Sequence, residues 1–193
     1  MEAGKRVLIG AAVIVLLAAF CGIGSYNSLI GKKAGVEEAY ATIQADLQRR
    51  ADLIPNLVET VKANADHETE VFTAITDARE ELVNAKETGD VVAEADANTK
   101  LDAALGQLIV VAEAYPELQS SEAYQTLMTQ LEGTENRISV SRKDYNAAVK
   151  EYDVAISVFP GNVFAQMMGF SELPYFTASE GVADVPSVGD MLN

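Results

Sequence analysis

The apolar residues of this chain recur at alternating spacings of four and three over most of its length, which is typical of long amphipathic helices packed side by side. The first such seam predicts a helix over about residues 31–87. Its apolar members are Val36, Tyr40, Ile43, Leu47, Ile54, Leu57, Val61, Phe72, Ile75 and Leu82. Pro55 lies inside the seam and removes one backbone donor. Because the seam continues beyond it, we expect Pro55 to kink this helix without ending it.

Two more helices are predicted further along the chain, over about residues 90–114 and 121–159. Pro116 and Pro160 follow their last apolar positions, and proline disfavours the α conformation of the residue before it. Because the connections between the three helices are short, neighbouring helices should run in opposite directions. The pattern therefore predicts an all-α fold, an elongated antiparallel up-down bundle of coiled-coil type over residues 27–160.

Two segments of different character follow the third helix. Residues 161–176 form a short apolar segment, and residues 177–193 are rich in small and acidic side chains. A composition of the second kind buries little apolar surface, so we expect the tail to be mobile.

An uncharged apolar run near the start of the chain predicts a transmembrane helix over residues 7–26, after a short flank at 1–6. At about 1.5 Å rise per residue, such a helix spans roughly 30 Å of hydrocarbon. A cleaved signal peptide and a lipoprotein signal are rival interpretations. The apolar run is long for the first, and Phe20 precedes Cys21 where the second requires small residues. We therefore favour an uncleaved anchor that continues into the bundle.

Ala18 and Gly22 form a small-xxx-small pair that would let two anchors pack closely. Similar numbers of basic residues flank the anchor on both sides, so the positive-inside rule barely separates the two orientations. We favour a cytoplasmic N-terminus with an exported bundle.

Polar side chains occupy several positions of the seams where apolar residues are expected. These are Asn64, Glu68, Arg79, Glu135 and Arg142. A buried charge without a partner is strongly destabilising, so the ionisable ones should be paired or exposed to water. Counting along the three helices places Glu135 within a turn or two of Arg79. We hypothesise that these two residues pair and set the helix register; the alternative is that the seam drifts and these charges reach solvent.

The part of the first seam beside the anchor has no predicted partner in its own chain. A first helix from Gly31 to Lys86 would be roughly 80 Å long, and the second helix would cover only its distal half. The uncovered residues form a candidate oligomer interface: Val36, Tyr40, Ile43, Leu47 and Arg50. A second protomer, the segment 163–176 folded back, or another membrane protein would cover this stripe. We favour a second protomer.

Composition excludes several classes of function. The net charge of −15 would repel nucleic acid phosphates, so nucleic acid is not an expected partner. One cysteine and one histidine exclude a disulfide framework and a Cys/His metal site. His67 and Glu68 resemble the start of the metalloprotease signature HExxH, but Val71 stands where the second histidine is needed. We therefore expect no catalytic residues, no metal and no cofactor.

Several stretches resemble the LemA family of bacterial membrane-anchored proteins, and together they cover about residues 26–176. They are YNSLI from Tyr26, DLQRRADLIPNLVETVKANADHE from Asp46, AEAYPEL around Pro116, LEGTENRISVSRKDYNAAVKEYDVAI from Leu131, and FPGNVFAQMMGF from Phe159. The resemblance implies a single-pass protein of the bacterial cell (inner) membrane with a helical-bundle domain and no established enzymatic activity. The chain departs from the family pattern at Tyr40, where tryptophan is common, and at Ala51 and Asp153.

These features predict a non-enzymatic, membrane-anchored helical scaffold that assembles into homo-oligomers and organises or shapes the membrane. Its partners would be membrane lipid, through the anchor, and further copies of itself. The alternative is an adaptor that binds or regulates another membrane protein, such as a protease or an envelope-stress component.

Overall fold

The computed structural model describes residues 2–65 and 67–177, apart from the side chains of residues 2, 3, 5–7, 14, 15 and 18. Every regular element in these ranges is a helix, which confirms the all-α expectation for this part of the chain. The helices are α1 (Glu2–Lys62), α2 (Thr69–Thr88), α3 (Val91–Glu113), α4 (Pro116–Gln119), α5 (Glu122–Ser157) and α6 (Gly161–Met168). Residues 178–193, most of the predicted tail, lie outside the described part.

The predicted single helix over residues 31–87 is wrong, because a turn separates α1 from α2. The backbone N–H groups of Asn64 and Ala65 both donate to the carbonyl of Val61, at 3.0 Å each, which ends the regular α pattern. Asparagine competes with helical hydrogen bonding and favours turns. Asn64 is exposed and Glu68 is half-buried in this turn, so neither sets the register of two packed helices.

Two compact units make up the chain, and each contains parts of α1 and α5. The first unit comprises Met1–Ala39 and Ala147–Leu173, and the second comprises Tyr40–Asn146 and Pro174–Asn193. Within the described ranges, no helix combines the length and the apolar composition that a membrane span requires.

The second unit is a four-helix up-down bundle built from α1, α2, α3 and α5. Lys86 Nζ on α2 donates to Gln48 Oε1 on α1 at 2.6 Å, and Ser141 Oγ on α5 donates to the Asp46 carboxylate. Arg79 of α2 contacts Ala51, and Glu135 of α5 contacts Arg50, so in both cases an earlier residue of the partner helix meets a later residue of α1. The helices α2 and α5 are therefore antiparallel to α1. The core is aliphatic, and its fully buried members include Ile43, Leu47, Ile54, Leu57, Ile75, Leu82, Leu101 and Leu108.

The predicted absence of a partner for the stripe beside the anchor is also wrong. Ile43 is 0% exposed within one chain, Leu47 and Arg50 are buried with it, and Val36 is buried in the first unit. The cause is the turn after α1, which shortens the first arm of the bundle. Three helices then fit against Tyr40–Lys62 of α1, so a second copy is not needed to cover this face.

The first unit joins α1 to the end of α5 and to α6. The ring of Phe164 on α6 lies against Gly22, where an added Cβ would be 3.0 Å from the ring. Phe170 packs on Tyr26, with ring centroids 6.1 Å apart. Gly22 is thus covered by its own chain and not by a second anchor, contrary to the predicted role of the Ala18–Gly22 pair. The side chain of Ala18 lies outside the described part.

Pro55 creates a packing requirement that α2 meets. Because proline has no N–H, it cannot donate to the carbonyl of Ala51, four residues earlier in α1. Ala51 is fully buried, and its carbonyl oxygen accepts a hydrogen bond from Arg79 Nε on α2 at 2.8 Å. The helix continues through Pro55 to Lys62; the predicted kink stays a prediction. Arg79 therefore replaces the backbone donor that proline removes.

We predict that the cost of Arg79→Met depends on residue 55. With Pro55 present, the substitution leaves a buried carbonyl unsatisfied and should lower the free energy of unfolding by about 1–2 kcal/mol. In Pro55→Ala the new backbone N–H can reach Ala51, so the same substitution should cost clearly less. Urea unfolding of the four variants in detergent, followed by circular dichroism, measures this coupling. Arg142→Met, at an exposed position, is the matched control in both backgrounds. An equal cost of Arg79→Met in both would contradict the interpretation.

Candidate functional site in the helical bundle

A buried guanidinium, that of Arg50, lies at the centre of the bundle. Arg50 Nη1 donates to Asn98 Oδ1 at 2.8 Å, and Nη2 donates to the Asp102 carboxylate. Asn98 and Asp102 stand one turn apart on α3, and Asn98 Nδ2 donates to Asp102 Oδ2 at 3.3 Å. Glu135 on α5 completes the set, with Oε2 at 2.9 Å from Nη1. Arg50 therefore connects three helices.

The side chains of this cluster differ in their exposure to water. The Arg50 side chain is 6% exposed, whereas those of Asp102 and Glu135 are 40% and 47% exposed. Glu135 Oε2 lies within ion-pair distance of Arg50 Nη1 but accepts no hydrogen bond from the residues that the structure describes. Arg50 Nε has no hydrogen-bond partner among these residues either. The cation is desolvated and the anions are half-solvated, so the cation depends on the anions more than they depend on it.

Two predictions about the polar seam are corrected by this arrangement. Arg50 has partners within its own chain, and Glu135 pairs with Arg50 instead of Arg79. The count that matched Arg79 with Glu135 assumed one unbroken first helix, and the turn after Lys62 shifts α2 relative to that count. Arg142 is exposed, which agrees with the alternative that some seam charges reach solvent.

A second polar cluster joins α1 to α3 through Glu94, a residue that the seam pattern did not single out. Glu94 is 0% exposed, and its Oε1 accepts hydrogen bonds from the Tyr40 hydroxyl and, at 3.2 Å, from Gln44 Nε2. Glu94 Oε2 has no hydrogen-bond partner in the described part of the chain. Burial raises the pKa of the Glu94 carboxyl, while the two hydrogen bonds and the charge of Lys86 lower it by less. Burial also raises the pKa of Tyr40.

A groove of about 400 Å³ opens beside Arg50, between α3 and α5. Its walls are mainly aliphatic, with an acidic rim. The lining residues are Arg50, Leu57, Asp102, Leu105, Gly106, Leu108, Ile109, Met128, Leu131, Glu132, Glu135 and Asn136. Because the carboxylates on the rim are half-exposed and Arg50 is already paired, this surface suits an apolar segment that carries basic residues.

Glu94 and Arg50 are held by side chains of their own bundle, and His67 lies exposed in the turn between α1 and α2. Among the described residues, no cluster of histidine, cysteine, aspartate and glutamate has the geometry to hold a metal ion.

We predict an asymmetry between removing the cation and removing the anions. Arg50→Met leaves two half-hydrated carboxylates and should cost about 1–2 kcal/mol of unfolding free energy. Asp102→Ala combined with Glu135→Ala leaves a buried cation with Asn98 alone and should cost about 3 kcal/mol or more. Urea titration of the full chain in detergent measures both. Glu81→Ala, which removes one half of an exposed ion pair with Lys100, should change the value by less than about 0.5 kcal/mol. A greater loss for Arg50→Met than for the double variant would refute the asymmetry.

Glu94 should make the bundle less stable as pH rises. Its pKa in the folded state is raised above 4.5, so above pH 4.5 the unfolded state releases this proton more readily than the folded state. Stability contributed by the neutral carboxyl is present below pH 4.5 and is lost as pH rises through the folded pKa. Glu94→Gln cannot titrate, so the unfolding free energy of the wild type minus that of this variant should fall between pH 4.5 and pH 7.5. Urea unfolding at both values tests this, and a difference that grows with pH would mean that the carboxylate is the stabilised form.

The chain is similar in sequence to proteins of one known family and to magnetosome proteins. The sequence model of the LemA family matches residues 39–189. Magnetosome protein MamQ 2 of Paramagnetospirillum magneticum is 28% identical over 190 residues, covering 86% of this chain and 70% of that protein. Magnetosome protein MamQ of Magnetospirillum gryphiswaldense is 28% identical over 174 residues, or 78% of this chain and 64% of the relative. Protein LemA of Metamycoplasma hominis is 26% identical over 161 residues, or 83% and 73%. Since the family model spans most of the bundle, including Arg50 and the residues that bind it, the chain belongs to the LemA family.

Proposed function

We propose that this protein is a membrane-anchored helical scaffold that acts by binding and not by catalysis, and whose copies associate to organise or shape the bacterial cell membrane. The observation that carries the proposal is the apolar surface of α1 before the bundle. Leu16 is 69% and Phe20 80% exposed, and Leu8, Ile9, Leu17 and Ile23 are exposed as well. An apolar surface of this size is unfavourable in water, and lipid is the environment that suits it.

The charge pattern supports residues 7–26 as the anchor. No charged residue occurs from Val7 to Gly31, whereas Lys5 and Arg6 precede this run and Lys32 and Lys33 follow it. Lysine and arginine are favoured at the ends of membrane helices, where they reach the headgroups. The proposal includes a single pass through the inner membrane, with the N-terminus in the cytoplasm and the bundle exported. Membership of the LemA family supports a membrane-associated helical protein.

Association between copies would use a different face from the one expected from the sequence. The apolar residues around Ile43 are buried by helices of the same chain, and the ring of Phe164 packs against Gly22. Small exposed residues remain on another face of α1, namely Cys21, Gly24 and Ser28. Small side chains let membrane helices approach closely, so we place the contact between anchors on this face.

The groove beside Arg50 favours a second candidate function, that of an adaptor for another membrane protein. Its aliphatic walls and acidic rim would accept an apolar segment with basic residues. In this case the protein would remain monomeric in the bilayer. It would bind its partner through the groove, and its anchors would not associate with one another.

Cross-linking through the natural cysteine separates the two candidates. Cys21 is exposed on α1, so a bifunctional thiol reagent should give dimers of the full chain in membranes. In a Cys21→Ser background, Ile43→Cys should give none, because Ile43 is buried in its own bundle. Dilution with excess lipid distinguishes specific dimers from random collisions. If only monomer forms at Cys21, self-association is refuted and the adaptor is favoured.

A further inference from the structure

We propose that the protein touches the membrane at a second place, which we call the C-terminal hairpin: residues 154–171, comprising the end of α5, the turn at Pro160 and α6. In this proposal the hairpin inserts into one leaflet of the lipid beside the anchor. The inference rests on the anchor proposed above and adds a second lipid-binding element to it.

The first argument is that the charged residues of α1 and of α5 stop at the same level, and that both segments are uncharged beyond it. Lys32 on α1 lies 3.4 Å from Glu151 on α5, which aligns the two helices at this point. The pair is exposed and contributes little stability, but it shows which levels of the two helices face each other. Before Lys32, α1 is uncharged back to Val7, and from Val154 to Ser171 the hairpin carries no charged residue either. A shared boundary of this kind is expected where two neighbouring segments cross from water into lipid.

The second argument is that the hairpin packs against the part of α1 proposed as anchor. Phe164 covers Gly22, and Phe170 packs on Tyr26 and on Tyr152, with centroids 6.1 and 6.5 Å away. The hairpin therefore lies beside roughly residues 22–31 of α1, of which residues 22–26 belong to the proposed anchor. This overlap is about 6 Å long at 1.5 Å per residue, which is less than the thickness of one leaflet of hydrocarbon.

The third argument is that the outward face of the hairpin is apolar. Phe159 is 82% and Met167 78% exposed, and Val158, Val163 and Met168 are exposed beside them. The inward face is also apolar, since Ala165 is buried and Phe164 contacts Gly22. Five large apolar side chains exposed on so short a segment form a surface that is unfavourable in water, although Gln166 on α6 is exposed among them. Because this face continues the exposed apolar surface of α1, lipid is the occupant that covers both at once.

The turn that forms the hairpin admits only glycine at its closest approach. A Cβ added to Gly161 would lie 2.1 Å from the carbonyl oxygen of Ala155. The backbone of α6 thus begins directly against the last turns of α5, which keeps the hairpin narrow. Two hydrogen bonds join the two arms at the open end of the hairpin, opposite the turn. The Tyr152 hydroxyl donates to the Ser171 carbonyl at 3.1 Å, and Leu173 N–H donates to Asp153 Oδ1 at 3.2 Å.

Site-specific fluorescence tests the proposal with the full chain in phosphatidylcholine vesicles. In a Cys21→Ser background, a polarity-sensitive thiol label is attached at Phe159→Cys or Met167→Cys. Leu16→Cys reports on the anchor, and Val140→Cys is the matched control, an exposed apolar position of α5 outside the hairpin. Each label is exposed to brominated lipid and to aqueous iodide, and each variant must keep the helix content and unfolding midpoint of its parent. All four substituted side chains are exposed, so folding should be preserved.

Labels at 159 and 167 should be quenched by brominated lipid and protected from iodide several-fold relative to position 140. Iodide quenching at 159 and 167 equal to that at 140 would overturn the proposal, as would protection from both quenchers, which would mean that protein covers the hairpin. Position 16 separates the two proposals. If lipid quenches 16 but not 159 and 167, only the hairpin inference fails; if lipid quenches none of the three, the anchor fails as well.

Discussion

The bundle depends on the burial of one positive charge. A guanidinium removed from water is tolerated only where enough acceptors surround it, and for Arg50 these come from α3 and α5 together. Neither helix alone supplies the full set, so α1, α3 and α5 must meet at one register. The remaining helix is tied to α1 by Arg79, which completes the backbone hydrogen bonding that Pro55 interrupts. Aliphatic packing provides most of the stabilisation, and these two arginines select one alignment among many that would bury similar apolar area.

Much of the fold follows from the spacing of apolar residues, and the main error comes from one place where that spacing is ambiguous. The step from Asn64 to Glu68 to Phe72 is four and four, which also occurs in continuous coiled coils. Neither glycine nor proline lies there to indicate a turn. A continuous helix over residues 31–87 is nearly twice as long as the part of α1 from residue 31 to its end, and the wrong partner of Glu135 and the uncovered stripe both follow from that length.

The site was less predictable than the fold, for a physical reason. The spacing of apolar residues draws attention to Arg50 as part of the candidate oligomer interface. It could not identify Asp102 or Glu94, because acidic residues on a helix normally face solvent. Glu94 is buried only because Tyr40 and Gln44 supply donors from the neighbouring helix, and this depends on the relative rotation of α1 and α3. Tyr40, which departs from the residue common in the family, is part of that cluster. Asn98 and Asp102, a polar pair one turn apart on α3, are a local sequence signal for a bound cation.

The length of the C-terminal hairpin has a consequence for the shape of a bilayer. A helix that spans both leaflets adds about the same cross-section to each, whereas an element that overlaps only one end of the anchor adds area to one leaflet only. Unequal area on the two sides of a bilayer creates spontaneous curvature, and binding of shallow amphipathic elements is correspondingly sensitive to curvature. A protein with such a wedge would concentrate where the leaflet that receives the hairpin is already convex. Many copies together would favour that bending, even without direct contact between them.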